Sequence, residues 1–151
     1  YNNSMYYLPK DQLKDLDIDK YLEIHNKLAS IDKDALPSEL ARHTTVYSYY
    51  HGLLIWQKRR IDLMANHNQA MYSLTKNNEL LNNKSKGAKA TASYLEDYVQ
   101  SNEEYIKLKS DLIYQEEIYG YLKAICSMLE HKKDMLIQLS ANLRSETKLY
   151  N

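Results

Sequence analysis

Residues 40–74 read LARHTTVYSYYHGLLIWQKRRIDLMANHNQAMYSL, a run interrupted by one glycine, Gly52, and by no proline. Its apolar residues keep a near-heptad spacing: Leu40, Tyr47, Leu54 and Ile61 share one position, and Tyr50, Met64 and Met71 share the other. That period marks a helix that lays one seam against a partner helix. His43, Gln57 and Asn68 fall on the same seam, so polar layers are expected within the packing. Lys58, Arg59 and Arg60 project away from it beside Trp56, leaving one face for protein and another for a ligand.

The whole chain is equally poor in helix breakers. Its 151 residues hold three glycines and two prolines, against usual abundances of about 7% and about 5%. A many-stranded fold needs turn residues in numbers this chain lacks. The expected fold class is all-α: a single helical domain over 1–151, with a short N-terminal helix, two long amphipathic helices and a short helix between them. Residues 1–12 are expected to be flexible. Asp17 or Asp19 caps a helix over 17–30 with Ile18, Tyr21, Leu22, His25 and Leu28 on one stripe. Ile31-Asp32-Lys33-Asp34 connects it to a long basic helix over 37–75, and Pro37 suits the first turn because its missing N–H would be unpaired there anyway. The Asn-, Lys- and Ser-rich stretch 76–90, with Gly87, reads as a mobile basic loop. A short amphipathic helix over 91–100 follows, carrying Tyr94, Leu95, Tyr98 and Val99. The S-x-x-E capping box Ser101-Asn102-Glu103-Glu104 then opens a C-terminal helix or helices over 102–147.

That last segment carries Leu108, Leu112, Ile118, Leu122, Ile125, Leu129, Leu136, Leu139 and Leu143, and at 1.5 Å per residue it extends for roughly 60 Å. A small monomer covers such a rod poorly. Either the helix turns back near Gly120 or Lys132-Lys133, or other copies bury its stripe. The second is the expectation, with Leu122, Ile125, Leu129, Leu136, Leu139 and Leu143 as oligomerisation residues in an oligomeric helical ring or barrel. A monomeric antiparallel bundle is the alternative.

Charge is unevenly spread although the total is zero. Residues 38–93 hold eight Lys/Arg against three Asp/Glu, a balance of +5; residues 1–37 hold five against seven and 94–151 seven against ten, balances of −2 and −3. A polyanion meets a polarised object, and a basic cluster beside an aromatic suits single-stranded nucleic acid. A solvated helix face is the plainer reading of such a run. Catalytic chemistry finds little support. No glycine-rich phosphate cradle is present, and His25, His43, His51, His67 and His131 lack metal-ligand spacing. Cys126 stands among Ile125, Met128 and Leu129 as a buried, inert thiol. The pairs Glu103-Glu104 and Glu116-Glu117 diverge around a helix and do not converge on a substrate. No enzyme activity, metal or cofactor is expected. A lone cysteine and the lack of an apolar run of roughly 18 residues point to a cytosolic protein without a membrane span.

Four stretches, in order, resemble one family: Leu16-Asp17-Ile18-Asp19, His43-Thr44-Thr45-Val46, Ser101-Asn102-Glu103-Glu104-Tyr105-Ile106-Lys107-Leu108, and Tyr119-Gly120-Tyr121-Leu122-Lys123-Ala124-Ile125-Cys126-Ser127 followed by a basic stretch and Arg144. Together, over residues 13–146, they are similar to the UvsY-like recombination mediators of tailed bacteriophages. Lys58-Arg59-Arg60 replaces the family's K-x-R in an apolar context, and the last helix is shorter by about a turn. The resemblance implies a homo-oligomer, heptameric in the best-known case, that binds single-stranded DNA. It also implies that the protein helps a RecA-like recombinase replace the single-strand-binding protein, in the cytoplasm of the infected bacterial host. The residues expected at the DNA are Lys58, Arg59, Arg60, Lys76, Lys84, Lys86 and Lys89. A helical structural or adaptor protein of a phage particle, with no DNA role, is the competing reading.

Overall fold

A computed structural model describes residues 7–150. The described residues form no strand. After a 3-10 helix at Lys10–Asp15, the elements are α1 (Ile18–Ala29), a 3-10 turn (Lys33–Ala35), α2 (Leu36–Ser85), α3 (Ala92–Gln100) and α4 (Glu103–Tyr150). No helix among the described residues is long and apolar enough to cross a membrane. Where composition favours a single domain, the packing divides into two compact units. One holds the chain up to Gln57 and from Ile118 onward; the other is Lys58–Glu117.

Local chemistry sets the helix ends. The Asp17 carboxylate accepts from Lys20 N at 2.8 Å and caps α1. Thr91 does the same for α3 through Tyr94 N at 3.1 Å. The cap of α4 is Asn102, whose Oδ1 accepts from Tyr105 N at 3.1 Å, and not Ser101. Ser101 instead donates its hydroxyl to Asp97 O at the end of α3, so the cap lies one residue beyond the one expected. α2 runs to Ser85, ten residues into the segment expected to be a loop. It stops where Gly87 takes φ 71°, with Gly87 N donating to Lys84 O and Ala88 N to Asn83 O. This pair of bonds is the Schellman ending, which favours glycine at the left-handed position.

In the first unit one core gathers Leu8, Leu13 and Leu16 from the N-terminal segment, Leu28 from α1, and Val46, Tyr50 and Leu53 from α2. α4 supplies Ile118, Leu122, Ile125, Cys126 and Leu129. Each such side chain contributes roughly 1.5–3 kcal/mol on burial. The chain has fifteen tyrosines and no phenylalanine, so aromatic core positions bring hydroxyls that need partners. Here the N-terminal segment provides them: Tyr50 accepts from Leu8 N at 3.1 Å, and Tyr49 donates to Leu8 O. Burial pushes the Tyr50 phenol up to about 12. The flexibility expected of residues 1–12 lies, for 1–6, outside the described residues; Leu8 is buried and residues 10–12 are helical. The expected stripe of α1 is rotated. Tyr21, Ile24 and Leu28 face the core, with Tyr21 stacked on Tyr121 at 4.9 Å, whereas Ile18 and Leu22 are exposed.

α4 is continuous through Gly120 and Lys132-Lys133 and does not turn back. Its apolar stripe is nevertheless covered. Leu122, Ile125, Leu129 and Leu136, expected as oligomerisation residues, are at most 1% exposed within one copy. For Leu122, Ile125 and Leu129 the N-terminal segment, α1 and α2 supply the cover that a second copy was expected to give. Leu139 is half-buried and Leu143 exposed.

Lys132 ties the three helices. Its ammonium donates to Leu28 O at 2.7 Å, in the last turn of α1, and to Ser30 O at 3.0 Å, just past it, and lies 3.2 Å from the Glu39 carboxylate of α2. Both charged side chains are 9% exposed. Beside them His43 is 7% exposed, and burial first, then Lys132 and Lys133, hold its pKa below the ordinary value of 6.5.

Two outcomes are expected. Lys132→Met should cost about 3–5 kcal/mol in denaturant unfolding, because it strands a buried carboxylate, and adding Glu39→Leu should restore part of that loss. The depressed His43 pKa means that the unfolded chain binds the proton more readily. Its contribution is present above pH 6.5 and is lost as pH falls through the folded value. A pH series of unfolding midpoints should slope downward below 6.5, and His43→Gln should flatten that slope.

Candidate nucleic-acid interface

All seven cations expected at DNA fall in the Lys58–Glu117 unit, built from the second part of α2, from α3 and from the start of α4. Within it α2 and α4 run antiparallel. Asn68 Nδ2 donates to Leu108 O at 3.1 Å, and Tyr72 lies 5.8 Å from Tyr105. Asn68 is 6% exposed, one of the polar residues expected on the α2 seam; in the other unit His43 and Gln57 are buried as well.

The cations divide into three environments. Lys58, Arg59 and Arg60 occupy one turn but fan apart by about 100° per residue, so they do not form one face. Lys58 and Arg59 are exposed and Arg60 is half-buried. Lys58 is paired with Asp62 at 3.0 Å, an exposed i,i+4 bridge that contributes little. Trp56, expected beside them at the nucleic-acid surface, is half-buried against the core of the first unit, with the Lys10 ammonium 4.4 Å from its ring centroid.

Lys76 is engaged within the unit. Its ammonium sits 3.4 Å from the Tyr72 hydroxyl and 3.9 Å from Glu96. Tyr72 donates to Glu96 and Gln100 donates to the same carboxylate, and these bonds hold Glu96 below its ordinary pKa. Lys76 is thus a bracket between α2 and α3.

Lys84, Lys86 and Lys89 surround the turn between α2 and α3, and all three are exposed. Lys84 and Lys89 line one depression of about 430 Å³ with Leu80, Gly87, Ala88 and Ala90. Among the described residues no carboxylate pairs with Arg59, Lys84, Lys86 or Lys89. Part of their positive charge answers the helix itself, because cations at a helix C-terminus face its exposed carbonyls. Lys84 stands roughly 40 Å along α2 from Lys58, so the basic surface is two patches on one helix.

The turn is rigidly based. Glu79, 8% exposed, accepts from the Tyr94 hydroxyl at 2.9 Å and from Asn83 Nδ2 at 2.7 Å. The Tyr94 bond is the main reason its pKa is lowered. Sequence reading missed these carboxylates. Asp62 carried a signal in its i,i+4 spacing from Lys58, whereas Glu79 and Glu96 meet Tyr94 and Tyr72 through the fold alone.

Among the described residues no three metal-ligating side chains converge. Cys126 is 5% exposed, and burial pushes its thiol up to about 11. Comparison of the chain with protein-family models, with curated proteins and with solved structures gives no match.

The anchoring role of Glu79 has a local readout. Glu79→Ala should speed hydrogen exchange of the 92–100 amides by about tenfold, leaving the amides of 118–136 unchanged in the same mass-spectrometric experiment.

Proposed function

We propose that this chain is a recombination mediator: it binds single-stranded DNA along α2 and promotes loading of a RecA-like recombinase in place of a single-strand-binding protein. The observation that carries the reading is the cluster of Lys84, Lys86 and Lys89, exposed and without carboxylate partners among the described residues, at a turn braced by Glu79 and Tyr94. Arg59, likewise exposed, stands farther up the same helix. The resemblance of the four sequence stretches to the UvsY-like mediators supplies the biological setting, including a homo-oligomer and the cytoplasm of an infected bacterium.

The physical argument is one of multiplication. A few lysines on one copy hold a strand weakly, since each phosphate contact releases less than one counterion and the gain fades as salt rises. Repeating the patches in an assembly adds avidity without any new kind of contact, provided one strand reaches several copies. Backbone charge carries the binding, so little sequence preference is expected. Lys76 and Trp56 contribute scaffolding in this scheme, because their cation and ring are already engaged.

A second reading, a helical adaptor of a phage particle, is favoured by exposed apolar residues such as Leu63, Leu74 and Leu81. Fluorescence anisotropy of a labelled single-stranded oligonucleotide separates the two. The mediator should bind with an affinity that falls steeply with salt. Lys84→Ala/Lys86→Ala/Lys89→Ala should lower affinity at least about tenfold and flatten the log–log salt slope by about 2, near 0.7 per lost phosphate contact. Lys76→Ala should change the slope by little. No binding at low salt, or a triple variant that binds like the native chain, rejects the DNA reading.

A further inference from the structure

α2 carries a second apolar repeat that its own core does not use. Leu63, His67, Ala70, Leu74, Asn77 and Leu81 recur at alternating steps of four and three, the spacing of a coiled-coil seam. Leu63 is 60% exposed, Leu74 52% and Leu81 63%. At about 100° per residue these leucines lie roughly 120–160° round the helix from Ile61, Asn68 and Glu79. Those three residues are buried, with Asn68 bonded to α4 and Glu79 to α3.

α4 has the matching feature. Glu103, Ile106, Ser110, Ile113 and Glu117 recur at alternating steps of three and four, and Ile106 and Ile113 are 48% and 63% exposed. Tyr105, Leu108 and Leu112, half-buried, lie on the other side of the helix. Each helix therefore turns one apolar stripe toward its neighbour and a second toward solvent.

Charge says what covers them. Within about 80° of its outward stripe, α2 holds Arg59, Arg60 and Lys84 and no carboxylate, a net of +3. Within the same angle of its own stripe, α4 holds Glu103, Glu116 and Glu117 against Lys109, a net of 1 − 3 = −2. Pairing α2 with α2, or α4 with α4, sets like charges side by side. Pairing α2 with the α4 of another copy sets opposite charges together while joining leucines to isoleucines.

We infer that copies of this chain associate head to tail, the outward face of α2 in one copy, through Leu63, Leu74 and Leu81, receiving the outward face of α4, through Ile106 and Ile113, in the next. The two faces are different and point away from each other within the unit, so the contact is heterologous. Each added copy leaves one of each face free, and the series either closes into a ring or continues. This deepens the assembly half of the proposed function and rests on that reading only for its use, since the contact itself needs no DNA.

Sedimentation velocity on the full chain tests it. The native chain should associate with rising concentration and dissociate with added salt. Leu74→Glu/Leu81→Glu and Ile106→Lys/Ile113→Lys should each stay monomeric with native circular dichroism; Leu74→Gln/Leu81→Gln serves if the glutamates disturb the fold. Mixing the two variants should restore one intact α2 face and one intact α4 face, giving a 1:1 dimer and nothing larger. A native chain that stays monomeric at its solubility limit, a single-face variant that still associates, or a mixture that stays unpaired overturns the inference. Association of the native chain without oligonucleotide binding would reject the DNA reading and leave this one standing.

Discussion

A lysine ammonium cannot be buried alone, because the loss of hydration exceeds anything apolar packing returns. Lys132 is buried because three oxygens meet it: the Glu39 carboxylate from α2 and the carbonyls of Leu28 and Ser30. Those carbonyls fix where α1 ends, and Leu28 is itself part of the core that includes Leu122, Ile125 and Leu129. The fate of the C-terminal leucines follows from that arrangement. With α1 and the N-terminal segment in place, Leu122, Ile125 and Leu129 are interior residues of one copy.

This is also where sequence reading succeeded and failed. The scarcity of glycine and proline made the all-helical class legible, and the heptad run from Leu40 identified α2 because the same residues, Tyr50 and Ile61 among them, do pack inward. Polar residues on that seam were legible for the same reason. The extent of α2 was not, because Asn77, Asn78, Asn82 and Asn83 are weak helix residues in isolation and their helix is braced by Tyr94 on Glu79, a contact across fifteen residues. The C-terminal stripe was legible as apolar, but its cover within one copy was not, since periodicity reports that a face is apolar and says nothing of what lies on it. The N-terminal segment hid its role in Leu8, Leu13 and Leu16, too few and too irregular to show a period.

The candidate site was legible as charge and illegible as geometry. Counting charges located the basic segment, but seven cations in a list have equal weight until their neighbours are known. Tyr72 and Glu96 remove Lys76 from that list, Asp62 draws Lys58 aside, and Lys10 sits over the ring of Trp56. What remains exposed concentrates at a turn whose backbone requires Gly87 and whose base is a buried carboxylate. An acidic anchor beneath a basic turn keeps the lysines outward, because moving them inward has no room among bonds already made.

The segment Lys58–Glu117 holds seven basic and two acidic residues up to Lys89, then seven acidic and two basic residues that reverse the sign. Such polarity gives one surface two competitors in the proposed scheme: phosphates, and the acidic α4 of a neighbouring copy. Arg59 and Lys84 lie roughly 60° or less from the Leu63–Leu81 seam, close enough to serve either. Lys86 and Lys89 lie past the last turn of α2, outside any seam that helix can form. A strand can therefore occupy the turn while the helix face is held by protein, and the two functions share a helix without sharing every charge. Screening weakens both together, since exposed pairs and phosphate contacts answer to the same ionic atmosphere. Only the leucines and isoleucines between them keep an attraction that salt does not remove.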